Sequence, residues 1–291
     1  MYPILFKPII KKMIWGSESW EITCRPNEMG IIENGEYAGM AFADFIAKDR
    51  AAVLGTHAGE KFPLLVKVID ARDVLSVQVH PNDEYARLKG EADTGKSELW
   101  YILTPPTDGL LVVGLKEGVT REVLAKAYED GTVEQCLNRI KVSRGDIINI
   151  PAGLIHALTP GIRVAEIQQN SDITYRLYDF GRVGADGMPR PLHVSDALAV
   201  TEFGKINEAA EHFTVEKQTV TSQITATSNP QIFSVYTCVE GSAVFEVNSH
   251  TVTVEEARSV FIPARLGEYV IRPCDKGESV VLLKSDPIVN L

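Results

Sequence analysis

The chain has 291 residues, of which 45% are hydrophobic and 23% charged, a composition typical of soluble globular proteins. Its formal net charge of −10, with no basic run, argues against nucleic acid or an anionic membrane surface as a partner. No apolar stretch approaches the roughly 20 residues that a membrane-spanning helix needs.

The N-terminal stretch MYPILFKPIIKKMIW is apolar but broken by lysines and prolines, so we do not expect a signal peptide. The chain has four cysteines, which lie far apart and form no CxxC pair: Cys24, Cys136, Cys238 and Cys274. We therefore expect reduced thiols and a cytoplasmic protein.

Short apolar and β-branched stretches dominate the first part of the chain, and glycine, proline and aspartate separate them. The predicted strands are 62–70, 74–80, 98–103, 109–115, 146–151 and 163–168. Many short strands in this arrangement are typical of a sandwich or barrel.

Helical patterns are confined to short insertions. One is predicted from Asn82 to Gly90, two more within 120–140, meeting at Gly131, and another around 195–200. Thr132 and Gln135 have the spacing of a capping box for the second helix of the 120–140 insertion. Helices this scattered argue against a βαβ fold.

The chain contains a weak internal repeat. DIINIPAGLIHAL (146–158) resembles RSVFIPARLGEYV (258–270), since each has an apolar strand, Pro-Ala, a turn and a second strand. Two copies of one barrel are therefore predicted, in domains 1–205 and 206–291. In this alignment Glu268 replaces His156, so only the first domain is expected to hold a metal.

Ligand-type side chains recur at the ends of the predicted strands. Gln78 and His80 are two apart and therefore lie on one face of their strand. Glu98 opens the next strand, which could pair antiparallel with the first, and His156 follows the Pro-Ala-Gly turn. Taken singly, each fits an ordinary core or surface residue. Together they form a set suited to zinc and acceptable to iron or manganese.

Other charged residues lie in apolar or ordered surroundings. Lys67 and Glu166 sit within predicted strands, where either an outward charge or a buried, paired one is possible. Lys96 precedes Glu98, and Arg176 follows the turn-like NSD. In an acidic chain, Lys67, Lys96 and Arg176 form the predicted cluster for a phosphate group.

Five segments in this order resemble type I mannose-6-phosphate isomerases of the short bacterial form: WGSESWEIT, FPLLVKVIDARDVLSVQVHPNDEYA, GKSELWYIL, PAGLIHAL and QQNSDITYRLYDFGR. The resemblance runs from about residue 14 to residue 200 and weakens beyond. It implies a mainly β fold of two cupin-type jelly-roll barrels, the second without metal ligands.

The resemblance also implies a site. One zinc ion would be held by Gln78, His80, Glu98 and His156, with Arg176 as the catalytic arginine. Lys67, Lys96 and Glu166 match substrate-binding positions for a sugar phosphate. The implied reaction is the interconversion of mannose 6-phosphate and fructose 6-phosphate by proton transfer through a cis-enediolate. An iron-dependent cupin oxygenase and a non-catalytic sugar-phosphate-binding regulator are the alternatives, and the oligomeric state stays open.

Overall fold

The computed structural model describes residues 1–56, 59, 61–184, 187–204 and 212–288 and is mainly β, as predicted. The elements up to residue 71 are β1 (Ile4–Lys7), β2 (Ile9–Met13), β3 (Gly16–Ile22), β4 (Cys24–Arg25), β5 (Glu28–Met29), β6 (Ile31–Ile32), a 3₁₀ turn (Gly35–Tyr37), α1 (Phe42–Lys48), α2 (Arg50–Val53) and β7 (Leu64–Ala71).

The next elements are β8 (Val77–Val79), α3 (Asp83–Lys89), β9 (Glu98–Thr104), β10 (Leu110–Leu115), α4 (Arg121–Glu129), a 3₁₀ turn (Val133–Cys136), β11 (Leu137–Lys141), β12 (Ile147–Ile150), β13 (His156–Ala157), β14 (Arg163–Gln169), β15 (Tyr175–Tyr178) and α5 (Val194–Val200). The last are β16 (Phe213–Val220), β17 (Ile224–Thr227), β18 (Ser234–Glu240), β19 (Ala243–Val247), β20 (His250–Val254), β21 (Ser259–Ile262), β22 (Glu268–Pro273) and β23 (Val280–Pro287).

The six predicted strands are confirmed as β7 to β10, β12 and β14, and the helices at 82–90 and 195–200 as α3 and α5. The helical prediction for 120–140 is wrong at its end, where Leu137–Lys141 forms β11 and pairs with β10. Thr132 caps no helix, because its hydroxyl donates to the carbonyl of Ala127. None of the helices in the described ranges combines the length and apolar character that crossing a membrane requires.

The chain divides into two units. The terminal unit comprises Met1–Ile10, Ser19–Val68 and Ala210–Leu291, and the central unit comprises Lys11–Glu18 and Ile69–Ala209. This differs from the predicted 1–205 and 206–291, because β1 pairs antiparallel with both β21 and β6 and so joins the C-terminal strands. The predicted 205/206 boundary itself lies outside the described residues.

The terminal unit contains a six-stranded sheet, β16-β23-β18-β21-β1-β6, and a four-stranded sheet, β17-β22-β19-β20. Phenylalanines fill its core and contact one another at ring-centroid separations from 4.6 to 6.3 Å: Phe6, Phe42, Phe62, Phe233 and Phe261. These rings come from both ends of the unit's sequence, so the core forms only when those ends meet.

Arg258 ties the N-terminal strands to the C-terminal ones. Its guanidinium donates to Glu21 at 2.9 Å and to Glu33 at 2.7 Å. Glu21 is only 2% exposed. Removing the arginine would leave this carboxylate buried without its cation, so Arg258→Ala should lower the free energy of unfolding by about 3 kcal/mol.

Thermal or denaturant unfolding measures this loss. The exposed Arg265, in the same unit, provides the matched control, and Arg265→Ala should change stability little. Equal stabilities of the two variants would contradict the assignment of Arg258.

The central unit has a five-stranded sheet in the order β11-β10-β13-β8-β15. Facing it is a second sheet, β12-β9-β14, continued by the parts of β7, β3 and β2 that belong to this unit. Apolar side chains of both sheets, including Leu111, Trp100, Ile102 and Val164, form the core between them. The other face of the five-stranded sheet packs against α4 and α5 through a second cluster, which includes Val77 and Val79.

The predicted pairing of the strands that carry His80 and Glu98 is wrong. β8 lies between β13 and β15, whereas β9 lies between β12 and β14 in the facing sheet. α3 and the loop after it carry the chain from one sheet to the other. The two ligand-type residues therefore approach each other across the interior of the unit.

Candidate metal centre

Three candidate site residues lie in one row across the five-stranded sheet. Gln78 in β8 is directly opposite His156 of β13 on one side and Arg176 of β15 on the other. Opposite residues of antiparallel strands share a face. Val77 and Val79 pack on the helix side, so alternation turns this row toward the interior.

His80, Glu98 and His156 converge in that interior. His80 Nε2 lies 2.5 Å from Glu98 Oε1, and His156 Nε2 lies 3.7 Å from the same oxygen. One potential ligand atom from each residue falls within 4.8 Å of the others, and all three residues are buried. In the part of the chain that the structure describes, this is the one group of three His, Cys, Asp or Glu side chains able to hold a metal ion.

Backbone carbonyls fix the orientation of both imidazoles. The Nδ1 of His80 is 2.7 Å from the carbonyl oxygen of Ile173, and the Nδ1 of His156 is 2.9 Å from that of Leu154. An Nδ1–H held in this way leaves Nε2 unprotonated and directed at Glu98, which is the arrangement of metal-ligating histidines.

The turn before His156 is anchored to the other histidine. The amide of Gly153 donates to the carbonyl of His80 at 2.9 Å. Gly153 has φ +87°, and an added Cβ would lie 2.6 Å from Glu202 Cγ, so the turn requires glycine. The Pro-Ala-Gly sequence thus sets the position of His156 relative to His80.

The donor set fits a divalent metal ion. It combines two imidazole nitrogens and a carboxylate oxygen, which suit zinc, iron or manganese. Gln78 adjoins it, with Nε2 3.2 Å from His156 Nε2, and turning its amide would bring the oxygen to that position. Burial, together with the neighbouring His80, lowers the pKa of His156 to about 4, so this imidazole is neutral at pH 7 and could bind a metal ion.

The same shift predicts a pH dependence of folding for the metal-free protein. His156 in the unfolded chain binds a proton near pH 6.5, whereas in the folded chain it does so only near pH 4. Between these values the unfolded state holds more protons, so the free energy of unfolding should fall as pH is lowered, by up to about 3 kcal/mol. Measured by denaturant unfolding across this pH range, the free energy of unfolding should depend less steeply on pH in His156→Gln than in the unaltered protein. Equal slopes would contradict the lowered pKa of His156.

Lys96 lies beside the cluster, on the loop before β9. Its Nζ is 3.5 Å from Glu98 Oε1 and 4.0 Å from Glu166 Oε1. Burial opposes its charge, but Glu98 and Glu166, followed by Asp172 and Glu18, raise its pKa above the usual range. Lys96 is therefore a protonated, hydrogen-bond-donating group at neutral pH.

Trp100 connects the two carboxylates, although the sequence did not single it out. Its indole N–H is 3.1 Å from Glu98 Oε2 and 2.9 Å from Glu166 Oε2. The sequence spacing could have indicated this contact. Glu98 and Trp100 are two residues apart and lie on the same face of β9, and Glu166 is opposite Trp100 in β14.

Arg176 is half-buried, and its Nη1 donates to the carbonyl of Pro191 at 2.8 Å. Burial and the nearby Arg190 lower the pKa of its guanidinium. Asp179, which the sequence did not single out, accepts hydrogen bonds from both Arg182 and Arg190. Two arginines thus pair with the Asp179 carboxylate after β15, and Arg176 is near enough to feel its charge.

The remaining predicted site residue belongs to the terminal unit. Lys67 is buried and not outward-facing, and its Nζ lies over the Trp20 ring, 4.7 Å from the centroid. In the repeat, the position equivalent to His156 is Glu268, which is exposed at the start of β22.

Comparison with known proteins agrees with this geometry. Residues 5–106 match the family model "Phosphomannose isomerase type I, catalytic domain", and residues 204–282 match "Mannose-6-phosphate isomerase, cupin domain". The chain is 36% identical to mannose-6-phosphate isomerase ManA of Bacillus subtilis over 77% of its own length and 75% of that protein. It is 34% identical to a mannose-6-phosphate isomerase of Streptococcus mutans, over 70% of its length and 69% of that protein.

The fold is also shared with solved structures. A crystal structure of mannose 6-phosphate isomerase from Bacillus subtilis superimposes with a TM-score of 0.88 at 27% identity, covering 98% of this chain and 99% of that one. The predicted mainly β, cupin-type fold is therefore confirmed. Since these curated relatives exceed 30% identity over more than two thirds of the chain, and the matched models describe the same enzyme, the protein belongs to the type I phosphomannose isomerase family.

Proposed function

We propose that this protein interconverts mannose 6-phosphate and fructose 6-phosphate, moving a proton between C1 and C2 through a cis-enediolate. The observation that carries the proposal is the buried convergence of His80, Glu98 and His156 in a chain so similar to mannose-6-phosphate isomerases. A zinc ion held by these residues and Gln78 would act as a Lewis acid toward the oxygens at C1 and C2.

The protein's own residues supply positive charge for the reaction. Arg176, in the same row as Gln78 and His156, is our candidate for stabilising the enediolate, because its planar fork presents several donors. Lys96, protonated next to Glu166, would bind sugar oxygens. We retain Lys67 and Glu166 as the other substrate-binding candidates on the family resemblance.

The arginines near the end of β15 are consistent with a substrate that carries a phosphate group. Arg182 and Arg190 pair with Asp179, and the charges of all three act on the nearby Arg176, in a chain of net charge −10. A local excess of arginine in an acidic protein favours an anionic ligand. All four cysteines are unpaired thiols, which supports our further proposal that the enzyme is cytoplasmic.

Solvent isotope exchange tests the proposed reaction. With fructose 6-phosphate in heavy water, some deuterium should enter C2 of the mannose product, because a proton held on a side chain exchanges with solvent. Product formed with no solvent deuterium at any stage of conversion would instead indicate direct hydride transfer. Consumption of oxygen during turnover would indicate a cupin oxygenase.

A further inference from the structure

The loop that carries Lys96 is bound along its length to the end of β14. We call residues 93–97 the Lys96 loop. The hydroxyl of Ser171 donates to the carbonyl of Thr94 at 2.7 Å. The backbone amide of Gln169 donates to the backbone carbonyl of Ser97 at 3.1 Å. The loop is therefore held against the QQNSD segment, which the proposed reaction does not use.

Three consecutive amides of the loop each have a specific acceptor. Gly95 N–H donates to Asp83 Oδ1 at 2.8 Å, Lys96 N–H to the carbonyl of Pro81 at 3.0 Å, and Ser97 N–H to Gln169 Oε1 at 2.9 Å. The approach at Gly95 is so close that an added Cβ would lie 2.4 Å from the amide nitrogen of Asp83. The backbone on both sides of Lys96 is thus fixed.

The Gln169 side chain joins these contacts into one chain of hydrogen bonds. Its Nε2 donates at 3.1 Å to the same Asp83 oxygen that accepts from Gly95. Gln169 is 6% exposed, so an amide left without these partners would be costly. Both of its polar atoms are committed to holding the Lys96 loop.

We propose that Gln169, assisted by Asp83, is a positioning residue that places the Lys96 ammonium beside Glu98 and Glu166. The inference rests on the proposed function, in which Lys96 acts on the sugar phosphate. Gln169 acts only through the loop backbone. A displacement of about 1 Å at a reacting group can lower the rate about a hundredfold, so the fixed backbone matters for turnover.

A double-mutant cycle in the full-length, zinc-loaded protein tests the proposal. Gln169→Leu should lower kcat/KM about 10- to 100-fold with metal content unchanged. In a Lys96→Met background, the same substitution should lower kcat/KM by less than about twofold, because the group it positions is gone. Equal losses in both backgrounds would overturn the positioning role while leaving the isomerase proposal intact.

Exposed Asp83 provides a second variant should Gln169→Leu fail to fold. Asp83→Ala should lower kcat/KM, and Asp83→Asn, which keeps an oxygen acceptor, should restore much of the loss. Glu84, the next residue in the first turn of α3, is the control, and Glu84→Ala should leave activity unchanged. Equal effects of Asp83→Ala and Glu84→Ala would overturn the proposal. Full activity of Lys96→Met would remove Lys96 from the proposed function and this inference with it.

Discussion

His156→Ala should abolish metal binding and reduce isomerase activity to less than about 1%. His156 is one of only three residues in the candidate metal group. Its cross-strand neighbour Gln78 already belongs to the proposed ligand set and Arg176 carries a positive charge, so neither side chain can take its place. His80→Ala should have the same effect, since His80 Nε2 is the candidate ligand atom that lies nearest to the Glu98 carboxylate.

Elemental analysis of the purified variants measures the metal directly. His250, in β20 of the terminal unit, is the matched control, and His250→Ala should retain one metal ion per chain. Full occupancy in His156→Ala would remove that residue from the ligand set. A second tight site that needs His250 or Glu268 would show that the terminal unit binds metal as well.

Arg176→Ala should lower kcat by about a hundredfold or more while the metal content stays intact. Arg176 is separated from His156 by Gln78 in the cross-strand row, so its loss should not disturb the candidate metal-binding residues. Arg176→Lys should recover little of this activity, because a point charge does not reproduce the planar fork.

Steady-state kinetics and metal analysis together check this prediction. Arg87, exposed on α3, is the control for replacement of an arginine, and Arg87→Ala should keep full kcat. A variant of Arg176 that changed only KM would make the residue a phosphate anchor. In that case the cluster around Asp179 would be the place where the substrate's charge is recognised.

Part of the candidate centre was predictable because it depends on patterns within a few residues of each candidate side chain. Two-residue alternation put Gln78 and His80 on one face, and the Pro-Ala-Gly turn placed His156 at the start of a strand. What the sequence could not give was the sheet to which each strand belongs. Glu98 meets His80 across the interior and not along a shared strand pair, and no local pattern distinguishes these cases.

The domain boundaries depend on contacts between distant parts of the chain. Ile4 is opposite Phe261, a pairing that joins the two ends of the chain and has no signature near residue 4. Burial of charge was similarly ambiguous. Lys67 and Glu166 each fitted an outward-facing strand position, and only tertiary packing against Trp20 and Trp100 decides that both are buried.

Local pattern also misled where tertiary pairing prevailed. Thr132 and Gln135 have the spacing of a capping box, yet the residues after Thr132 form a 3₁₀ turn that contains Gln135 and then β11. At the edge of the five-stranded sheet, this segment instead forms an antiparallel strand pair with β10. Cross-strand hydrogen bonds there outweigh a weak helical preference.

Conversion of fructose 6-phosphate is the most direct test of the proposed isomerase activity. Zinc-loaded protein, incubated with this substrate under nitrogen and without nucleotide, should form mannose 6-phosphate until equilibrium is reached. His156→Ala protein should form none above background. Tight binding of the sugar phosphate with no conversion, in protein shown to carry zinc, would contradict the account and favour a binding protein.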